Sequence, residues 1–305
     1  MNPFLCTDAQ IDLPPLAQAH ARGCGCSLHA RRRLGGVLLG SGLLAALPGT
    51  ALAQDVDCRR SQFAKVVSAD EIEQAAGQQY RQMLQQASSK QALAPGNHPQ
   101  VQRLRYIAQR IIPFTASCND RARDWKWEVN LIGSKDLNAF CMPGGKIAFY
   151  LGILQQLRLD DDEVATIMGH EVAHALLEHA RERTGKTVAT RGMIELGSAL
   201  FGLGGLGRGV ADLGGQLLTL RFSRDDESEA DALGMVMAAK AGFRPEAGVS
   251  LWRKMLEANK GAPPQWLSTH PSGDSRIRDI ESRLPKVQPI YQAADKPDRR
   301  FSVPG

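Results

Sequence analysis

The sequence predicts a mainly helical α+β domain with a small, mostly antiparallel sheet. Apolar and polar side chains alternate from Trp125 to Ile132, which is the pattern of a half-buried strand. Residues 138–142 and 146–150 form two short strand-like runs on either side of the turn Pro143-Gly144-Gly145. Helical spacing of apolar residues dominates the rest of the chain after residue 69.

The first 53 residues are typical of an export signal. Arg31-Arg32-Arg33 precede an apolar run, and Ala51-Leu52-Ala53 matches a small-x-small cleavage site. The run is too short to span a membrane comfortably, and its glycines beside the arginine cluster disfavour the alternative of a buried core helix. We therefore expect residues 1–53 to be a signal peptide and the mature protein to be periplasmic, with membrane association left open.

The charge balance excludes one class of partner. The chain of 305 residues has a net charge of +5, and residues 1–53 contain four arginines and two aspartates, so the remainder carries +3. So small a charge gives no electrostatic case for nucleic acid binding.

Three cysteines lie beyond the expected signal peptide. An odd number allows at most one bridge within the chain and leaves one thiol over. We predict the pair Cys58–Cys118, because Cys141 lies inside a strand-like run near the proposed site. Three free thiols are the alternative.

Each helix is predicted from its periodicity and its ends. Asp160 and Glu163 fit a capping box at the start of the helix that is expected to run through Ala180. The predicted helices cover residues 69–89, 101–111, 160–180, 226–241, 246–258 and 275–284.

The glycine-rich stretch 192–215 is interpreted as packed loop and helix, with a mobile lid or a membrane-touching flap as the alternative. Residues 54–285 then form one domain, and the proline-punctuated residues 286–305 are expected to be loosely ordered.

The run His170-Glu171-Val172-Ala173-His174 indicates a catalytic metal. Residues four apart on a helix lie on one face, so both imidazoles can bind one zinc ion. Glu171 lies about 100° round the helix from His170, from where its carboxylate can take a proton from a zinc-bound water. The alternative, two surface histidines beside a glutamate, fits poorly on a helix filled with small and apolar residues.

A catalytic zinc needs a third protein ligand and an open position. Glu227 and Asp231 are four apart, so Glu227 can ligate the metal while Asp231 orients a ligating histidine. A solvated acidic helix start is the alternative, and spacing alone does not decide between the two. On the helical wheel His179 lies about 180° from His170 and cannot share the metal, and Glu229 is expected to point elsewhere.

Around these residues the chain resembles the gluzincin family that contains the CAAX prenyl proteases, the HtpX-type heat-shock proteases and the periplasmic β-barrel-assembly-enhancing protease. The resemblance covers roughly residues 124–284 and rests on HEVAH, Glu227 with Asp231, Asn138-Ala139-Phe140 with Pro143-Gly144-Gly145, and His270-Pro271. It implies a zincin-like metallopeptidase domain with one Zn²⁺ per chain, Glu227 as its third ligand, and polypeptide substrates. The sequence looks like the soluble, exported branch of that family.

The resemblance suggests roles for two further features, the segment Asn138-Ala139-Phe140 and His270. Asn138, Ala139 and Phe140 are expected on an edge strand that binds an extended substrate, with an ordinary hairpin arm as the alternative. His270, with Arg276 six residues later, is expected to reach the site. It either stabilises the oxyanion or occupies the fourth zinc position in a self-inhibited state, and a loop cap before Pro271 is the alternative.

The sequence thus predicts a zinc-dependent endopeptidase with Glu171 as general base. The resemblance implies unfolded or misassembled envelope proteins as substrates, a role in protein quality control, and peripheral contact with the outer membrane or its assembly machinery. The alternatives are a chaperone-like envelope assembly factor with latched or minor proteolysis, and a zinc hydrolase that cuts cell-wall peptides.

Overall fold

The computed structural model describes residues 58–200, 217, 220–258, 265–270 and 274–304. The expected signal peptide and residues 201–215 of the glycine-rich stretch lie outside these ranges. None of the described helices combines the length and the apolar character that crossing a lipid bilayer requires.

The described residues form a mainly helical domain with a three-stranded sheet, which confirms the predicted fold class. The elements are α1 (Ala69–Ser89), α2 (Pro99–Ile111), β1 (Glu128–Ile132), β2 (Ala139–Met142), β3 (Lys146–Tyr150), α3 (Leu151–Gln156), α4 (Asp161–Leu176), α5 (His179–Leu200), α6 (Arg224–Lys240), α7 (Ala247–Ala258), α8 (Gln265–Thr269) and α9 (Asp274–Ala293). Within the glycine-rich stretch, residues 192–200 are the end of α5.

The sheet is mixed rather than mostly antiparallel. Its strand order is β1-β3-β2, with β3 antiparallel to β2 and parallel to β1. The hairpin through Pro143-Gly144-Gly145 fixes the antiparallel pair and places β3 in the centre. β1 then joins the other side of β3 in the parallel direction, a pairing between strands distant in sequence that alternation within each strand does not reveal.

Helix α4 is the central element of the fold. Asp160 and Glu163 form the predicted capping box, in which each side chain accepts a hydrogen bond from the backbone N–H of the other residue. Every residue of α4 except Thr166 is buried. The helix packs against β2 on one side and against α2, α6 and α7 on the others. A helix enclosed in this way holds its side chains in fixed positions, which suits a binding site.

The C-terminal segment is more ordered than predicted. Helix α9 continues to Ala293 through Pro285 and Pro289 instead of ending near Leu284. Each proline inside a helix costs about 3 kcal/mol, and the burial of Val287 and the packing of Tyr291 against the main core oppose that penalty. The expectation that residues 286–305 are loosely ordered is therefore wrong for residues 286–293, which continue α9.

The cysteine prediction is confirmed for the described residues. Cys58 and Cys118 form a disulfide across 60 residues of sequence, and Cys141 is a buried thiol in β2. The bridge attaches the segment before α1 to the end of the 3₁₀ helix that follows α2.

Candidate metal centre

Helices α4 and α6 supply the predicted metal ligands from two distant parts of the chain. His170 and His174 lie one turn apart on α4, and Glu227 lies in the first turn of α6. All three side chains are buried, each about 3% exposed. Solvation of the acidic helix start, the alternative for Glu227, is therefore excluded.

Two glycines bring the helices close enough for this arrangement. A Cβ on Gly169 would lie 2.7 Å from the carbonyl oxygen of Gly234, and a Cβ on Gly234 would lie 2.7 Å from the backbone nitrogen of His170. Real Cβ atoms do not approach backbone so closely, so only glycine permits this crossing. The close crossing sets the carboxylates of Glu227 and Asp231 beside the imidazoles of α4.

The ligating atoms converge on one point. The Nε2 atoms of His170 and His174 are 3.0 Å apart, and the Glu227 carboxylate oxygens lie 3.4 Å from His174 Nε2 and 3.5 Å from His170 Nε2. His270 joins them, with its Nδ1 2.9 Å from Glu227 Oε1. One ligand atom from each of these four buried residues lies within 4.8 Å of the others.

Asp231 and Arg276 orient the first histidine and the carboxylate. His170 Nδ1 donates to Asp231 Oδ1 at 2.9 Å, which turns His170 Nε2 towards the cluster. Arg276 donates to both oxygens of Asp231, at 2.6 and 2.7 Å, and also to Glu227. The structure thus brings together both residues that the sequence placed behind the ligands.

His179 lies next to His174 but outside the ligand cluster, as expected for a residue that cannot share the metal. Helix α4 ends at Leu176, and Glu178 adopts a left-handed conformation with φ 60°, so the chain turns back before α5 begins. His179 Nδ1 then lies 2.8 Å from His174 Nδ1. The contact with His174 was not predicted, because the helical wheel assumed one continuous helix and no glycine marks the break.

Glu171 is held by residues that the sequence analysis did not identify. The indole N–H of Trp266 donates to Glu171 Oε1 at 2.6 Å, and His270 Nε2 lies 3.5 Å from the same oxygen. Phe222 stacks on the His174 ring at 4.0 Å between centroids. Trp266 and Phe222 lie in short segments without periodicity, so nothing local in the sequence pointed to them.

The electrostatics of the cluster favour ligating protonation states. Burial lowers the pKa of the His174 imidazole well below its ordinary value, which keeps a lone pair available. Burial raises the pKa of Glu227, but the charge of His270 and hydrogen bonds with His174 and His270 outweigh burial and leave the pKa well below its ordinary value. For Asp231 the effect of burial is outweighed mainly by Arg276, and its pKa is also lowered. Burial lowers the pKa of His270, whereas the charges of Glu171 and Glu227 raise it to a net value above the ordinary one.

The donor set fits a zinc ion. Two or three imidazoles with one carboxylate are the ligands that zinc takes in proteins. Three buried carboxylates, those of Glu171, Glu227 and Asp231, lie in this cluster, and Arg276 is the permanent cation that contacts two of them. A divalent cation would supply the two positive charges that balance the remainder.

A cleft opens beside these residues. It is lined by Glu171, His174 and His270 on one side and by β2 with Asn138 on the other. Among the described strands β2 has a neighbour on one side only, so it is the predicted edge strand and it faces the cleft.

The buried helix α4, the ligand atoms that converge beside it and the carboxylate of Glu171 form the kind of site that a metallopeptidase has. The chain belongs to peptidase family M48, whose family model matches residues 98–284.

Named relatives agree with this assignment. The mitochondrial metalloendopeptidase OMA1 of Schizosaccharomyces pombe is 32% identical over 232 residues, which make up 75% of this chain and 66% of that protein. Human metalloendopeptidase OMA1 is 31% identical, over 63% of this chain and 40% of that protein. The beta-barrel assembly-enhancing protease of Escherichia coli strain K12 is 30% identical, over 52% of this chain and 35% of that protein. The chain therefore spans less than two thirds of the length of each of these relatives.

Proposed function

We propose that the chain is a zinc-dependent endopeptidase with one Zn²⁺ held by His170, His174 and Glu227. One observation carries this proposal: the ligand atoms of these residues converge within 4.8 Å inside a buried site, and the Glu171 carboxylate lies beside them at the base of a cleft. A structural zinc site has no use for a carboxylate and a cleft next to its ligands.

The proposed mechanism assigns the proton transfers to Glu171. A zinc ion at this position would polarise a peptide carbonyl and lower the pKa of water. Glu171 accepts the proton of the attacking water and later gives it to the leaving amine. Trp266 holds one oxygen of Glu171 by a hydrogen bond of 2.6 Å, which keeps the carboxylate directed at the site. His270, whose Nε2 lies 3.5 Å from Glu171 Oε1, is proposed to donate a hydrogen bond to the oxyanion that forms.

The cleft favours an extended polypeptide as substrate. A peptide segment can add to the outer side of β2 near Asn138, Ala139 and Phe140 through backbone hydrogen bonds. Such pairing requires an unfolded segment, so we propose unfolded or misassembled envelope proteins as substrates. The relative in E. coli is named for β-barrel assembly, which supports a role in envelope quality control close to the outer membrane. A periplasmic location rests on the signal-like residues 1–53 alone.

A second candidate function is an assembly factor whose proteolysis is latched off. The observation that favours it is the position of His270, whose Nδ1 lies 3.3 Å from His170 Nε2 and 2.9 Å from Glu227 Oε1. A histidine at this position can fill the fourth place around the metal and exclude water.

Metal analysis combined with cleavage assays tests the proposed function. Purified full-length protein, Glu171→Gln and the control Glu246→Gln, which changes an exposed glutamate outside the site, would be compared on unfolded casein and on cell-wall muropeptides. We expect one zinc per chain in all three proteins and casein cleavage that falls about 10²–10⁴-fold in Glu171→Gln alone. A Glu171→Gln protein as active as the wild type contradicts the proposed mechanism, and muropeptide cleavage without casein cleavage contradicts the substrate class.

His270→Ala separates the two roles of His270. If His270 stabilises the oxyanion, we expect cleavage of casein to fall about 10²–10³-fold with zinc content unchanged. If His270 is a latch, its removal increases cleavage, and Glu171→Gln should still support envelope assembly in cells. A His270→Ala protein that cleaves casein at the rate of the wild type, neither slower nor faster, excludes both roles.

A further inference from the structure

We infer that His179 and Glu229 position His174 by fixing which nitrogen of its imidazole carries the proton. This inference rests on the proposed zinc centre. It assigns a function to two residues that lie outside the ligand set and on two different helices, α5 and α6.

The three side chains form a continuous chain of contacts. His174 Nδ1 lies 2.8 Å from His179 Nδ1, and His179 Nε2 lies 3.3 Å from Glu229 Oε2. The His179 ring is 1% exposed, whereas Glu229 is at the surface. The chain therefore runs from the buried ligand to the rim of the protein.

When both imidazoles are neutral, hydrogen-bond chemistry allows one consistent assignment of protons. A neutral imidazole has one nitrogen that donates and one that accepts, and an ionised carboxylate only accepts. Glu229 therefore places the proton of His179 on Nε2, so His179 Nδ1 accepts. His174 must then carry its proton on Nδ1, which leaves the lone pair of its Nε2 directed at His170 Nε2 and Glu227.

The opposite assignment is unfavourable at both ends. A proton on His179 Nδ1 would force the proton of His174 onto Nε2, where it would point into the ligand cluster. It would also set the lone pair of His179 Nε2 against the Glu229 carboxylate, 3.3 Å away. Two acceptors facing each other repel, so the contact with Glu229 selects the tautomer in which His174 can ligate.

The two ligating histidines thus receive the same kind of support by different routes. His170 donates directly to a carboxylate, that of Asp231, at 2.9 Å. His174 lies near the end of α4, and the left-handed turn at Glu178 returns His179 to it as an intermediate between His174 and a carboxylate. Partners behind a ligating histidine typically change metal affinity by about 10–100-fold when they are removed.

Zinc affinity of the full-length protein, measured by chelator competition, tests this inference. The variants are His179→Ala, His179→Asn, whose side-chain oxygen can accept near the position of Nδ1, and Glu229→Ala. The control Asp225→Asn changes an exposed carboxylate one turn earlier on α6. The melting temperature of each zinc-free protein and the visible absorption of its Co²⁺ form would be recorded alongside.

We expect His179→Ala to weaken zinc binding about 10–100-fold and to alter the Co²⁺ spectrum. His179→Asn should restore affinity to within about threefold of the wild type, and Glu229→Ala should fall between the wild type and His179→Ala, since water can replace an exposed carboxylate. A purely structural role would lower the melting temperature of the zinc-free protein in His179→Ala and His179→Asn alike.

Two outcomes overturn the inference, and they differ from failure of the proposed function. Zinc affinity and Co²⁺ spectrum unchanged in His179→Ala overturn it, as does a His179→Asn protein that binds no better than His179→Ala. A folded wild-type protein that binds no zinc overturns the metal centre itself, and the inference with it.

Discussion

Trp266 connects Glu171, the proposed general base, to the rest of the site through both its N–H and its ring. Its indole N–H donates to Glu171, and its ring lies 4.9 Å from the His270 ring and 5.2 Å from that of Trp252. The Arg276 guanidinium lies 3.8 Å above the Trp252 ring. One stack of rings therefore runs from His270 to the arginine that holds Glu227 and Asp231, and Trp266 lies at its centre.

Trp266→Phe tests the hydrogen bond while keeping the ring. A hydrogen bond to a charged group contributes about 1.5–3 kcal/mol, so we expect kcat/KM to fall about 10–100-fold with zinc content unchanged. Trp252→Phe is the matched control, because it changes the same stack without touching Glu171. Equal activity in the two variants would show that the N–H of Trp266 does not support Glu171.

At the scale of single residues, spacing in the sequence predicted the proposed ligands and Asp231 behind them, but missed the contacts of His179 and Trp266. His170, Glu171 and His174 were predictable because one helical turn is a local constraint, and Asp231 followed from Glu227 for the same reason. The contact between His174 and His179 depends on the left-handed conformation of Glu178, and the sequence has no glycine there to indicate such a conformation. Local spacing cannot reveal a helix end of this kind.

Among the elements, the crossing of α4 and α6 decides whether there is a metal site. Gly169 and Gly234 let the two backbones touch, and the ligands from both helices lie within a turn or two of that contact. The sequence shows these glycines inside predicted helices, where glycine usually destabilises. Only the packing of the two helices shows that these glycines allow the backbones of α4 and α6 to approach closely.

Gly234→Ala tests the crossing. The added Cβ would meet backbone atoms of His170 and Gly169 at 2.7–2.9 Å, so we expect a loss of about 1–3 kcal/mol in the free energy of unfolding together with weaker zinc binding. Urea unfolding of the zinc-free protein and chelator competition measure the two effects.

The matched control is Gly77→Ala in helix α1. A Cβ there would meet only the end of the flexible Arg81 side chain at 3.4 Å, so this change should be neutral or stabilise the protein by about 0.5–1 kcal/mol. A Gly234→Ala protein with the stability and zinc affinity of the wild type would show that the close crossing is not required.

Across the whole molecule, the C-terminal segment holds the start of the active-site helix. The backbone N–H of Phe301 donates to Asp161 at 2.9 Å, and Arg300 donates to Asp162 at 3.0 Å. Asp161 also accepts from the buried Arg103 of α2 at 2.6 Å. These contacts anchor α4 at the end opposite the proposed metal site, so Arg300 and Phe301 stabilise the helix that carries two of the proposed ligands.

Deletion of residues 294–305 tests this anchor. Loss of the hydrogen bonds to the buried Asp161 and Asp162 should cost about 2–3 kcal/mol and lower the melting temperature by about 4–12 °C. Deletion of residues 303–305 is the control and should change the melting temperature little. Similar melting temperatures for the two shortened proteins would contradict the anchoring role.

The same segment shows why the overall arrangement was only partly predictable. Prolines and polar residues after Lys286 led to the prediction of a loosely ordered segment, because the sequence does not show which core surface the segment will cover. The parallel pairing of β1 with β3 was missed for the same reason. Patterns within one helix or strand are local, whereas packing between distant segments depends on the complete fold.

Anomalous diffraction at the zinc absorption edge, from crystals of the zinc-loaded protein, tests the central claim most directly. The account predicts one peak about 2.0–2.2 Å from His170 Nε2, His174 Nε2 and a carboxylate oxygen of Glu227. A peak beyond coordinating distance of Glu227, or no peak between α4 and α6 in protein that contains zinc, would contradict it.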